Sequence, residues 1–210
     1  DTDIQNFGDK SSGTDPDVWT ADYAYAGDLQ GNLWKFDLSS TNENDWEAIL
    51  MFDTGSNQPI TAKPSVGSFP KRGGSGSNQE FRYVYFGTGK YIEPTDVSTT
   101  AGQTFYAFID EDNCTSRTTP CLTDSNLVTQ TINNQGVVSN NTFDVDNDKG
   151  CKIDLDTSGY AERVITQSAV IANSLIFSSI EPNGEVCRAG EEGYLYAVNR
   201  LTCGPTATQI

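Results

Sequence analysis

The chain has 210 residues, 29 acidic and 13 basic, a formal net charge of −16 and no histidine. A surface this acidic repels phosphate backbones and anionic lipid heads, which sets nucleic acid and plain membrane binding aside; no apolar run nears the roughly 18 residues of a membrane helix. Nineteen glycines, 10% aromatic residues and a single methionine describe a loop-rich all-β chain whose core comes from aromatic and β-branched strands.

Near the start, DPDVWTAD (15–22) gathers Asp15, Asp17 and Asp22, a candidate for cation binding through oxygen ligands. ADYAYAGDLQGNLWKFDLSS (21–40) alternates small and aromatic residues, turns between Gly27 and Gly31, and alternates again through Leu33, Trp34 and Phe36. That predicts two strands joined by a Gly-bounded turn. WEAILMFD (46–53) adds another strand and runs into DTGS (53–56), the tetrad that carries a catalytic carboxylate in aspartic proteases. Such chemistry needs a second aspartate close enough to share one proton, and the nearest analogue, DTSG at 156–159, has the wrong order. Asp53 is therefore expected to cap a turn, with Gly55 supplying a positive φ.

ITAKPSVG (60–67) predicts the opening strand of a second unit, and KRGGSGSNQE (71–80) a flexible hairpin tip. YVYFGTGKY (83–91), QTFYAFID (103–110) and LVTQTI (127–132) supply its further strands. Lys90 follows a GTG, but a phosphate loop needs a longer glycine frame entering a helix, and Tyr91-Ile92-Glu93-Pro94 come next. FDVDNDKGCKIDLD (143–156) is the most pointed stretch: Asp144, Asp146 and Asp148 alternate, and Asp154 is placed to close a short cage. Oxygen ligands at every second residue suit Ca²⁺, so these four are the leading metal candidates. The spacing departs from an EF-hand, whose sixth and twelfth positions would be Lys149 and Leu155. ITQSAVIA (165–172), matched to ITAKPSVG at Ile-Thr, then NSLIFSSI (173–180) and EEGYLYAVNRLTCG (191–204) complete a third unit.

Strand, turn, strand, loop, strand thus recurs, which describes propeller blades. The expected fold is all-β, a partial β-propeller of about three four-stranded antiparallel blades: an incomplete first blade over 1–59, a second over 60–140 and a last over 141–210. Trp19, Trp34 and Trp46 are expected between blades. A closed ring takes four to eight blades, so the chain reads as the C-terminal part of a larger propeller, or as one completed by other chains. The start at Asp1 rather than Met agrees with a processed or truncated piece whose targeting sequence lies upstream.

Lacking histidine, the chain has no Ser-His-Asp or Cys-His base and no typical zinc site; no enzyme is expected. Cys114 and Cys121 flank a short loop that a disulfide would close. Cys151 or Cys203 is left to pair with Cys187, with one thiol over, a pattern of an oxidising compartment.

AYAGDLQGNLWKFDLS, QPITAKPSV, YFGTGKYI, QTFYAFID and ERVITQSAVI with GYLYAVNRLTCG resemble, in order, the C-terminal propeller of PilY-type proteins, adhesin and assembly factors of type IV pilus tips. The resemblance runs from about Asp22 to Gly204, and AGDLQGNLWKFDL is its most specific element. It implies a non-enzymatic, extracellular role reached through the periplasm: pilus assembly, control of retraction and surface attachment. The implied partners are pilus subunits or other tip proteins, the upstream part of the same propeller, and a host cell surface. It also implies calcium regulation through an Asp-rich loop just ahead of AYAGD, where the alternation here breaks after Asp17. Two other classes share the blade motif. A quinoprotein-like dehydrogenase would show a bound quinone in its absorbance spectrum, and a surface-filament subunit would reveal itself in mass per unit length.

Overall fold

The computed structural model describes residues 2–5, 21–70, 80–133, 136–144, 146–155, 161–182 and 192–206. Among the described residues the regular elements are twelve strands and three short 3₁₀ helices, at Glu43–Asp45, Pro94–Ser98 and Asp124–Asn126. The strands are β1 (Thr2–Gln5), β2 (Tyr23–Gly27), β3 (Asn32–Asp37), β4 (Glu47–Asp53), β5 (Ser65–Pro70), β6 (Glu80–Gly87), β7 (Thr104–Asp110), β8 (Leu127–Thr131), β9 (Gly150–Asp154), β10 (Ala169–Ile171), β11 (Ser174–Glu181) and β12 (Glu192–Asn199). They form three sheets, ordered β1-β2-β3-β4, β5-β6-β7-β9-β8 and β10-β11-β12. Strand β5 approaches both β1 and β10, so the opening strands of the sheets lie side by side as they do around a propeller axis. The fold is an all-β partial propeller.

The middle sheet is buried on both faces, and its strands read accordingly. Every residue of β7, TFYAFID, is buried, because alternate side chains enter two different cores. Tyr106 and Phe108 join Val84, Phe86, Leu33, Met51 and Phe52 against the first sheet. Phe105, Ala107 and Ile109 join Tyr83, Tyr85, Leu175, Phe177 and Tyr196 against the third. Aromatic rings fill both layers. Phe52 lies 5.0 Å from Tyr106, and Phe105 stacks on Phe177 at 3.9 Å and 13°. Such pairs add about 0.5–1.5 kcal/mol each beyond the area they bury.

Two crossings set the spacing of the sheets. The Ile60 amide donates to the Asp28 carbonyl (2.9 Å), and the Val164 amide to the Thr88 carbonyl (3.0 Å). Each branched side chain seats on the glycine that ends the second strand of the sheet before it. A Cβ on Gly27 would stand 2.1 Å from Ile60 Cγ2, and one on Gly87 would stand 2.3 Å from Val164 Cβ. The spatial counterpart of Ile60 is therefore Val164, not Ile165 as the Ile-Thr match implies. The repeat is offset by one residue, and β5 and β10 begin at the same distance beyond it.

Other expectations are corrected too. Residues 150–154 pair with β7 and β8 in the second sheet, so the third unit starts after them rather than at 141. Strand β9 inserts between β7 and β8 and runs parallel to β8, which requires the long connection that carries the acidic loop. Trp46 is exposed and Trp34 half-buried; neither is a core filler, and Trp19 lies outside the described residues. Cys151 bonds Cys203, tying β9 to the segment after β12, so neither is left for Cys187, which lies outside the described residues. Cys114 bonds Cys121 as expected. The loop it closes pairs with β4, where the Leu50 amide donates to the Ser116 carbonyl (2.9 Å) and the Cys121 amide to the Leu50 carbonyl (3.0 Å).

The crossings give a stability test. Gly27→Ala and Gly87→Ala, which drive a methyl into a branched side chain, should each cost about 1–3 kcal/mol in urea unfolding. Gly193→Ala is the control, because its nearest neighbour would lie 3.6 Å away; equal losses at all three would remove the crossings from this role.

Candidate functional site

The β2–β3 turn is held by one carboxylate. Asp28 Oδ1 accepts from the amides of Gln30 (2.8 Å) and Asn32 (2.9 Å), and Oδ2 from Asn32 Nδ2 (3.0 Å) and Trp34 Nε1 (2.9 Å). Burial works against its charge, yet the Trp34 and Asn32 donors hold its carboxyl below the usual range. Gly31 has φ +88°, and a Cβ there would lie 2.4 Å from the Gly55 carbonyl oxygen. Hence AGDLQGNLW is a rigid turn whose tip offers Leu29, 56% exposed, and Gln30. The DTGS turn docks against it: Thr54 Oγ1 donates to the carbonyls of Gly31 (2.9 Å) and Gln58 (2.7 Å). Asp53 Oδ1 accepts the Gly55 amide (2.8 Å), with Gly55 at φ +86°. Asp53 caps a turn.

The connection from β6 to β7 is pinned to the same end. Arg163 is buried, and its guanidinium donates to four carbonyls: Ala161 (3.0 Å), Lys90 (3.1 Å), Asp96 (2.6 Å) and Thr99 (3.2 Å). Burial pushes its proton affinity down. Asp96, also buried, accepts the Ile92 and Glu93 amides (2.9 Å each) and pairs with Lys90 Nζ at 3.1 Å. Burial opposes its charge, but those amides and Lys90 hold the carboxyl below its ordinary value.

Between these loops lies a cavity of about 360 Å³ with Leu29, Gln30, Asn57, Lys90, Gln103 and Arg163 among its walls. Gln103 Nε2 donates to the Asn57 (3.0 Å) and Ala101 (2.8 Å) carbonyls, while its Oε1 is buried with no hydrogen-bond partner.

A second polar cluster sits between the first and second sheets. Lys35, only 2% exposed, lies 2.7 Å from Asp110 Oδ2 and also pairs with Asp112. Tyr25 donates to Asp110 Oδ2 (2.5 Å). Arg82 pairs with Asp112 and stacks over the Tyr23 ring at 4.1 Å. Burial pushes the Lys35 ammonium down and the Tyr25 hydroxyl up. Nothing in the composition signals this cluster, though Lys35 stands two residues after the inward-facing Leu33, which is where a strand pattern puts a buried side chain.

The expected metal residues do not converge. Asp144 and Asp148 meet within one loop: the Asp144 amide donates to Asp148 Oδ2 (2.6 Å), while Asp144 accepts the Asp146 amide (3.0 Å) and Asn147 Nδ2 (2.6 Å). The carboxylates thus serve the loop's own amides, and the Asn147 donor with the Asp146 amide lowers the Asp144 proton affinity. Asp154 stands at the far end of β9 and accepts from Thr104 Oγ1 (3.3 Å). Asp22 stands just before β2, where its carbonyl accepts the Leu38 amide (2.8 Å); Asp15 and Asp17 lie outside the described residues. Among the described residues no three His, Cys, Asp or Glu side chains are grouped to hold a metal. Ca²⁺ takes six to eight oxygens, and in this loop the Asp144 and Asp148 carboxylates accept from the amides around them.

Against known proteins, residues 48–145 match the model of the PilY1 beta-propeller domain. Two curated relatives from Pseudomonas aeruginosa strains PAO1 and PAK, each a "Type IV pilus biogenesis factor PilY1", are 31% identical over 90% of this chain. The chain carries a PilY1 β-propeller domain match. A PilY1 homolog from Xylella fastidiosa is 29% identical over 87% of the chain. The crystal structure of the Pseudomonas aeruginosa PilY1 C-terminal domain superposes on 99% of the chain with a TM-score of 0.68 and 26% identity. The chain spans 20% of the length of the two 31%-identical PilY1 proteins and 48% of that crystallised domain.

The loop end carries a pH-sensitive test. Because Asp96 is depressed, its contribution is complete above the unfolded value of 3.8 and fades only as pH falls through the lower folded value. Asp96→Asn should speed exchange of the Ile92 and Glu93 amides at pH 7 by roughly tenfold, a charged hydrogen bond lost, while β7 exchange holds. Unaltered exchange at those amides would show that the carboxylate does not order the loop.

Proposed function

We propose that the chain is a non-enzymatic part of an extracellular PilY1-type factor that acts in type IV pilus biogenesis, presenting a rigid loop surface to a protein partner. The observation that carries it is the match of nearly the whole chain to PilY1 proteins whose names state that role. Physical support comes from the loop end: exposed Leu29 and Gln30 sit on a turn with little freedom to lose, and preorganised surfaces bind at lower entropic cost. The two disulfides suit an oxidising compartment, and no helix among the described residues is long and apolar enough to cross a membrane. Pilus subunits or other tip proteins are the partners of this reading; control of retraction and attachment to host surfaces follow from the same surface.

Leu29→Asp with Lys90→Glu, introduced into the full-length protein in its own bacterium, should reduce sheared surface pili at least fivefold while the protein level stays unchanged. Normal piliation by that variant would exclude the loop end as the working surface.

The reading routes no calcium step through residues 144–154. Calorimetric titration of Ca²⁺ should give the same heats for the parent chain and for Asp144→Ala/Asp148→Ala. Binding that disappears in the double variant would reinstate the loop as a calcium site.

A further inference from the structure

Two pinned turns supply one side of the cavity at the loop end. Gln30 stands on the turn that Asp28 caps, and Ser56 and Asn57 belong to the turn that Asp53 caps. Their main chains are fixed: the Gln30 amide donates to Asp28 Oδ1 (2.8 Å), and the Asn57 carbonyl accepts Gln103 Nε2 (3.0 Å). The two turns are joined to each other through Thr54 Oγ1 and the Gly31 carbonyl (2.9 Å). Yet among the described residues the side chains of Gln30, Ser56 and Asn57 make no hydrogen bond. Two carboxamides and a hydroxyl are thus held around one cavity with their own capacity unspent.

The charges that share the wall are already answered. Lys90 Nζ pairs with Asp96 (3.1 Å) and Glu93 (3.5 Å), and the Arg163 guanidinium is spread over four carbonyls. Among the described residues no carboxylate lines the cavity, so a cation meets no opposite charge there. An ion of either sign gains little, and the unspent capacity is neutral. A carboxamide donates and accepts side by side, which matches two adjacent hydroxyls. A peptide group carries its N–H and C=O on opposite edges, beyond the span of one carboxamide. Leu29 and Pro59 add an apolar wall, suited to the C–H face of a pyranose. The cavity, about 360 Å³, lies at the small end of ligand pockets.

We propose that this cavity binds a neutral pyranose sugar, free or at the end of a glycan. Gln30 and Asn57 each span a pair of adjacent hydroxyls, Ser56 meets a further one, and Leu29 lies against the ring face. The inference rests on the reading that this end of the chain is its working surface, and adds to it a ligand class other than protein.

The test is a ¹H–¹⁵N titration of the chain with glucose, galactose, mannose and N-acetylglucosamine, each as the free sugar and as its methyl glycoside. At least one should shift the side-chain amide signals of Gln30 and Asn57 saturably, with a Kd in the millimolar range. Tetrahydropyran-2-methanol, a ring without adjacent hydroxyls, should not. Equal Kd values for a sugar and its methyl glycoside place a glycan end in the cavity; binding of the free sugar alone places a free sugar there. Gln30→Ala and Asn57→Ala should each raise the Kd about tenfold, as a lost hydrogen-bonded pair would, and both side chains are exposed, so the fold survives. No saturable shift with any of the sugars, undiminished affinity in both variants, or tighter binding of N-acetylglutamine methylamide would overturn the proposal. Sugar binding is read on the purified chain and piliation in the bacterium, so a failure here and a failure of the reading above are seen separately.

Discussion

A branched side chain seated on bare glycine is the contact on which the three sheets depend. Ile60 on Gly27 and Val164 on Gly87 bring one chain segment across the end of the preceding sheet, and the strap amides lock that approach. Any larger residue at either glycine would wedge the sheets apart. The aromatic layers between them are packed to near-crystalline density and do not tolerate a gap. The same crossings determine where the functional loops stand, because Asp28 and Thr88, whose carbonyls receive the strap, begin the two connections that border the cavity.

The ionised groups obey a different logic from the aromatics. Buried ion pairs contribute little net stability, but their geometry is exacting. Lys35, Arg82, Asp110 and Asp112 fix which strands face each other across the first layer more than they strengthen it. At the loop end, Arg163 spends its donors on main-chain carbonyls rather than on a carboxylate. It acts as a bracket for an irregular segment that has no ladder of its own.

Much of this architecture was legible in the residues. The near-continuous apolar runs in YVYFG and TFYAFID suit strands buried on both sides, and the Gly-bounded AGDLQGN turn was read correctly along with the DTGS turn. The offset of the repeat was not, because Val164-Ile165 offers two branched residues in succession and only the glycine beneath decides between them. Strand β9 escaped notice since a parallel neighbour needs no turn signal beside it. The polar layers were invisible for a simpler reason: lysine and arginine are ordinarily solvated, and Lys35, Arg82 and Arg200 become interior groups only when two sheets close over them. The acidic loop misled in the opposite direction, its alternating aspartates being engaged by nearby amides.

The loop closed by Cys114 and Cys121 lies along β4, the last strand of its sheet. A bare sheet margin invites any extended chain to add itself as another strand, and secreted chains meet many such segments at high local concentration before assembly. By occupying that margin with a covalently shortened stretch of its own second sheet, the molecule denies the template to strangers. Protection of that edge is thereby built into the topology and does not rest on the acidic surface alone.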